Sequence, residues 1–397
     1  MPTTAMPLAP EVLRARTAVA VTFAANGLAF ASFIARTPAI REALGLSTGG
    51  LGLLLLCVSG GAVAGLPLSG PIVHRLGPGR AVLAGTASNA FGLALLVVGL
   101  LTGSVVPAGI GLVFVGLGTG VWDVAMNVEG ADVERRLGRS LMPKLHAAFS
   151  LGTVTGAGIG AACAAAGVPL GVQLAVVLVV LPVVAGMSVR RFLPVHEATP
   201  EQKAAGVGAL AAWREPRTLM VGLLVLAFAF TEGSANDWIA IALVDGYGAG
   251  ETVGAVAFAC FVAAMTLGRL AGGRMLERFG RVPVLRATAV VALAGLLLVL
   301  FGGSVPVALS GALLWGVGAS LGFPVGMSAA ADDPARAAAR VSVVSSIGYT
   351  AFLAGPPLIG QLGEHQGILH ALLVVLGALV LGLLASSAAR PLEQSAS

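Results

Sequence analysis

The feature that most constrains this chain is a series of apolar segments, each long enough to cross a bilayer, that recurs along its whole length. Segments rich in Ala, Leu, Val and Gly, bounded by charges or turn residues, fall near 17–37, 48–72, 80–102, 105–131, 142–166, 169–189, 217–243, 251–275, 284–302, 305–330, 338–362 and 367–388. About 20 such residues span the hydrocarbon as a helix. Lipid offers the backbone no hydrogen-bonding partner, so a spanning segment is either a helix or a strand of a closed barrel. The alternating ten-residue pattern of a barrel strand is missing from the sequence. Only 10% of the 397 residues are charged and 57% are hydrophobic, too few charges to cover a soluble core of this size. The expectation is an all-α membrane protein with twelve transmembrane helices.

Arg14 and Arg16 precede the first apolar run as in a signal peptide, but no small-residue cleavage site closes that run. It is therefore expected to be a retained helix. An even number of spans puts both termini on one side, and the basic residues show which. Of 23 Lys and Arg, 21 fall on the side of the termini, leaving Arg36 and Arg41 opposite. The positive-inside rule assigns that side to the cytoplasm. The net charge of +5 is explained by this topology, and no nucleic acid is expected as a partner. Cys57, Cys163 and Cys260 lie in apolar stretches without CxxC or Cys/His spacing, so buried thiols are expected, with no disulfide, metal or cofactor.

The longest polar connection, with Pro194, Pro200, Glu201, Gln202, Lys203 and Pro216, divides the spans six and six. The expected organisation is an N-terminal bundle over 1–190, a cytoplasmic linker over 191–216 and a C-terminal bundle over 217–397. The halves are repeats. Gly65, Gly70, Arg75 and Gly77 recur as Gly268, Gly273, Arg278 and Gly280, each 203 positions later. Ser150-Leu151-Gly152 recurs as Ser346-Ile347-Gly348. Two pseudo-symmetric six-helix bundles of the same orientation follow, as in many transporters.

The repeated loops resemble the signature that joins the second and third helices of each half in the major facilitator superfamily. The stretch Gly273-Arg274-Met275-Leu276-Glu277-Arg278-Phe279-Gly280-Arg281 matches it well, with Glu277 in place of an aspartate. In the first copy Gly70, Ile72, Arg75, Gly77, Arg80 and Leu83 fit, His74 stands where the acid belongs and Pro78-Gly79 replaces a basic pair. The block Trp122-Asp123-Val124-Ala125-Met126-Asn127, with Arg139, Met142-Pro143, His146, Phe149, Ser150 and Gly152, resembles a little-characterised branch of bacterial permeases related to fucose permeases. The resemblance implies the major facilitator fold and secondary transport across the bacterial inner membrane, and it leaves the cargo open. It also implies a gating role for Arg75, Gly77, Glu277, Arg278, Gly280 and Arg281.

Ionisable or strongly polar residues inside spans are expected to face a cavity or a partner. The candidates for a substrate and proton pathway are Asn26, Asp123, Asn127, His146, Glu232, Asp237 and Trp315. Thr231 to Trp238 is the most polar stretch of any span, and it corresponds by repeat position to the segment around Asn26. A carboxylate there that loads and releases a proton is what proton coupling needs, so Glu232 is the expected carrier. It also reads as a packing residue or as one member of an ion pair. Asp237 reads as a pathway residue or as a marker of the outer interface beside Trp238. Arg36 either closes an outer gate by pairing with Asp237 or Glu232, or snorkels to water. His146 titrates near neutral pH and either joins Ser150, Asp123 and Asn127 in the path or bonds Asp123 structurally. Asp123 lines the cavity or braces the inner gate. Trp315 offers either a stacking face or a packing ring. Gly152, Gly156 and Gly160 allow close helix packing and also resemble an antiporter motif, with Ala157 and Ala161 departing from it.

No catalytic motif has a supporting context, so no enzyme is expected and no residue is assigned a catalytic role. Gly116, Gly118 and Gly120 lie inside a spanning helix rather than after a strand. The expected function is proton-coupled transport of a small polar metabolite, sugar-like by resemblance, by a monomer embedded in the lipid bilayer. Proton-driven efflux is the alternative, and a flippase or transport-like sensor a distant one.

Overall fold

The computed structural model describes residues 10–137, 141–193, 212–333 and 336–391. Twelve helices in it are long and apolar enough to span a membrane, and the described residues contain no strand. They are α1 Pro10–Ile34, α2 Thr48–Val73, α3 Arg75–Thr102, α4 Val105–Glu134, α5 Lys144–Ala165 and α6 Leu170–Val189, then α7 Pro216–Tyr247, α8 Glu251–Phe279, α9 Arg281–Phe301, α10 Val305–Ala330, α11 Arg340–Gln366 and α12 Ile368–Ala389. A short helix, Thr37–Ala43, lies between α1 and α2. The expected linker residues 194–211, including Pro194, Pro200 and Lys203, lie outside the described residues, as does Arg139.

Helix ends depart from the expected ones where polar residues continue a helix. α1 begins at Pro10, so Arg14 and Arg16 ride on its first turns instead of preceding it. α7 runs on to Tyr247 and stops at Gly248, whose φ of 65° is a left-handed cap. The α2–α3 and α8–α9 junctions turn at Gly77 and Gly280, with φ of 75° and 79°. Both repeated loops thus rest on a backbone that favours glycine. α10 breaks at Ser320-Leu321, inside the Gly-rich segment that precedes Pro324.

The chain forms two compact units, Met1–Phe33 with Cys57–His196, and Ile34–Leu56 with Glu197–Ser397. In the first, α4 brings two glycines to two neighbours: a Cβ on Gly116 would strike the Val58 carbonyl of α2, and one on Gly118 the Gly85 carbonyl of α3. In the second, Gly316 and Gly318 of α10 meet Phe261 of α8 and Ala292 of α9 in the same way. The repeat read in the loops therefore extends to the packing. Without a hydrophobic force between helices in lipid, such close backbone approach is the main source of association. α5 lies on α1 likewise, where side chains on Gly27, Gly152 or Gly156 would overlap the carbonyls of Phe149, Ala24 and Leu28.

Cys57, Cys163 and Cys260 are in no disulfide among the described residues, and each is half-buried rather than buried as expected.

Candidate functional site

In the first unit the polar residues gather around α1. Asn26 is fully buried and its Nδ2 donates to Met126 Sδ of α4 at 3.8 Å, while its Oδ1 has no partner among the described residues. One turn earlier, Phe23 meets the ring of His146 on α5 edge to face, centroids 5.4 Å apart. Asp123 and Asn127 lie one turn apart on α4, and Asn127 Nδ2 donates to the Asp123 carbonyl at 2.8 Å and to its carboxylate at 3.3 Å. Near the end of the same helix Glu129 accepts from the Leu193 backbone N–H at 2.7 Å and Glu134 from those of Leu141 and Met142. Asp132 pairs with Arg136 at 3.0 Å. Glu129 and Glu134 therefore tie α4 to the chain segments beside it, while the Asp132 pair is local to the helix.

In the second unit Glu232 of α7 is one member of an ion pair. Arg269 of α8 places Nη2 2.9 Å and 3.0 Å from the two carboxylate oxygens and donates from Nε to the Ser320 carbonyl of α10 at 3.3 Å. Arg269 was grouped from the sequence with the basic residues of the loops; it instead lies inside α8, where a charge needs a counter-charge. Its position six residues before the end of the helix expected over 251–275 was the available signal. Asp237 is five residues beyond Glu232 and so points about 140° away around α7. Its neighbours Asn236 and Trp238 leave Oδ1 and Nε1 buried without partners among the described residues.

Trp315 is fully buried, edge-on to Phe261 with centroids 5.8 Å apart, and its backbone abuts Gly295. It presents no face on which a ligand can stack in this structure.

Arg36 is also paired, but with Glu251 at the start of α8 rather than with Asp237 or Glu232. Its Nε and Nη2 donate to the two oxygens of that carboxylate. Arg41 does the same with Asp245 near the end of α7, Nη2 lying 2.6 Å from Oδ1. The two arginines set apart by their side of the chain thus find the two acids that flank the α7–α8 turn. The Gly49 N–H adds a bond to Glu364 of α11 at 2.9 Å, and Gly52 and Gly360 pack backbone to backbone.

At the other end of the second unit Asp332 receives Arg217 at 2.8 Å and Arg281 at 2.7 Å, and Arg281 also reaches Ser328 at 3.0 Å. Arg281 is thus the member of the second loop signature that ties α9 to the end of α10. Arg278 lies over the Phe279 ring at 5.1 Å, and Glu277, Arg278 and Gly280 are exposed, as is Arg75 in the first copy. Glu215, just before α7, accepts from Arg340 at 2.6 Å, Arg336 at 3.1 Å and Thr218 at 2.8 Å. The Arg340 hydrogen bond, foremost among these, holds the Glu215 carboxyl down at about 2. Asp332 and Glu215 went unread in the sequence because each looked like one more loop charge.

Comparison with known proteins bears on the family and the fold. A model of the Major Facilitator Superfamily matches residues 222–397. An uncharacterised MFS-type transporter of Yersinia pestis is 31% identical over 91% of each chain. Among solved structures, a point variant of the nucleoside transporter NupG superposes with a TM-score of 0.78 at 14% identity, covering 96% of this chain and 99% of that one. A point variant of the Escherichia coli fucose:proton symporter FucP superposes with a TM-score of 0.65 at 16% identity, covering 95% and 98%.

Proposed function

Because this chain belongs to the major facilitator superfamily, we propose that it is a proton-coupled secondary transporter that moves a small polar metabolite by alternating access. It is a multi-pass membrane protein and not an enzyme. The observation that carries the coupling is the Glu232–Arg269 pair, a carboxylate inside a span whose charge is balanced by one guanidinium. Protonating Glu232 releases Arg269 and ionising it recaptures Arg269, so one proton switches the local charge by one unit. In this reading Asn26, Asp123, Asn127 and His146 are the pathway candidates of the first unit, and Glu232 and Asp237, on different faces of α7, those of the second. The ion pairs of Arg36 and Arg41 act as outer latches, and Arg281 with Asp332 as an inner one. The bias of basic residues to the side of the termini supports termini that face the cytoplasm of a bacterial cell, and the working unit in this reading is a monomer. The likeness to a nucleoside transporter and a fucose:proton symporter supports a hydroxyl-rich cargo.

The test is reconstitution in liposomes that hold a pH-sensitive dye, with sugars, organic acids and cationic drugs added in turn. Substrate-dependent proton movement is expected for one class. Uptake that proceeds with no proton movement at any pH contradicts coupling.

A further inference from the structure

Arg269 lies ten residues from the end of α8 at Phe279, about 15 Å along the helix axis. A guanidinium inside an apolar helix needs a counter-charge. Its pairing is one-sided. Both oxygens of Glu232 accept from Nη2, Nε makes a long bond to the Ser320 carbonyl, and Nη1 has no partner among the described residues. Two other arginines of this unit grip one carboxylate with the fork, two nitrogens on two oxygens: Arg36 through Nε and Nη2, Arg41 through Nη1 and Nη2. The fork is the stronger and more specific arrangement. Arg36 has a side chain only 4% exposed, whereas that of Arg269 is 29% exposed and Glu232 beside it 15%. Arg269 thus keeps donors and accessible surface for a second oxyanion.

We propose that Arg269 is the recognition point for an oxyanion, carboxylate or phosphate, borne by the transported metabolite, and that Glu232 occupies the guanidinium between transport cycles. This rests on the coupling read above and names the cargo's chemical class. With Glu232 ionised, an arriving anion adds an unbalanced charge; with Glu232 protonated, the anion replaces it and the site stays neutral. One anion and one proton therefore enter together. The other titratable groups on the elements around α7 do not supply this balance. α10 carries none and offers Ser320, and α12 carries only His370, in its first turn. α11 carries Arg340, which is held by Glu215, Tyr349, and Glu364 with His365 at its far end. On α8 Glu251 is paired with Arg36, Cys260 lies more than two turns away, and Arg274, Glu277 and Arg278 are exposed toward the helix end. On α7 Asp237 faces away, Arg217 is paired with Asp332, and Asp245 with Tyr247 lies at the far end.

The test uses proteoliposomes of the full chain with an internal pH dye and two probe sets. One set is anionic (gluconate, a hexose phosphate, inorganic phosphate) and the other neutral (fucose, mannitol, uridine). Anion-driven acidification is expected in the wild type, the acid or the phosphate ester telling the two oxyanions apart. Arg269→Gln should lower that rate at least about tenfold, the scale of losing a charge-assisted hydrogen bond. The double variant Glu232→Gln with Arg269→Gln, which leaves no unbalanced charge, should be folded by size-exclusion and equally unresponsive. Glu232→Gln alone should still exchange the anion across the membrane without moving protons. Acidification driven by the neutral set alone overturns the anion assignment while leaving the transporter reading intact. An anion response unchanged in Arg269→Gln overturns it too. No response to either set overturns both.

Discussion

Arg36 and Glu251, 215 residues apart in the sequence, form a two-point ion pair in which the arginine is nearly sealed from solvent. Arg41 and Asp245 form a similar pair, but with side chains 20% and 28% exposed. Desolvation separates them energetically. A double-mutant cycle with alanine, read by thermal unfolding in detergent, should give a coupling of about 1–3 kcal/mol for the first pair and below about 1 kcal/mol for the second. Equal couplings would mean that burial does not distinguish the two latches.

Two glycines on α5 predict opposite outcomes for the same substitution. A Cβ at Gly152 would overlap the backbone of Ala24, whereas one at Gly158 meets nothing within 4 Å. Gly152→Ala should destabilise the protein by about 1–3 kcal/mol, as overpacking does, and Gly158→Ala should leave it as stable or up to about 1 kcal/mol more so, since alanine favours the helix. Thermal melts of the two variants check this, and equal melting would show that α1 and α5 are not packed through the glycine seam.

Glu215 gives a pH dependence of stated sign. Its carboxyl sits at about 2 in the folded protein against an ordinary value of 4.5, chiefly through the hydrogen bond from Arg340. A depressed folded value adds stability above the unfolded one, and that stability is lost as pH falls from about 4.5 toward 2. The melting temperature of the wild type should exceed that of Glu215→Gln at pH 7, with the gap closing below about pH 4.5. A gap that does not change between pH 7 and 3 would remove the ionised form from the argument.

Removing one charge of the Glu232–Arg269 pair should cost more than removing both. Glu232→Gln leaves Arg269 without its counter-charge, so it should destabilise by roughly 2 kcal/mol, less than a fully sealed pair because both side chains are partly accessible. Adding Arg269→Gln should restore most of the loss. A double variant less stable than either single one would contradict the pairing.

The sequence made the twelve helices and the repeat legible because both are written in long patterns: apolar runs set by bilayer thickness, and loop glycines repeated at one offset. Pairing was harder to read, since it depends on where helices end. Arg36 reads from the sequence as a partner of Asp237 or Glu232 or as snorkelling to water; the acids it and Arg41 meet, Glu251 and Asp245, flank the turn between α7, which runs on to Tyr247, and α8. Trp315 was readable in hindsight. Gly311, Trp315 and Gly318 share one face of α10 at helical spacing, and that face packs against α9. Arg269 escaped because a charge near a loop signature reads as a loop charge, although its place within an apolar helix already called for a partner.

In the proposed coupling Glu232 carries the transported proton. The most direct test imposes an inward pH gradient on liposomes holding wild type or Glu232→Gln and measures accumulation of the transported compound beside its equilibrium exchange. Wild type should accumulate the compound, and the variant should only exchange it. Gradient-driven accumulation by Glu232→Gln equal to that of wild type would contradict that role.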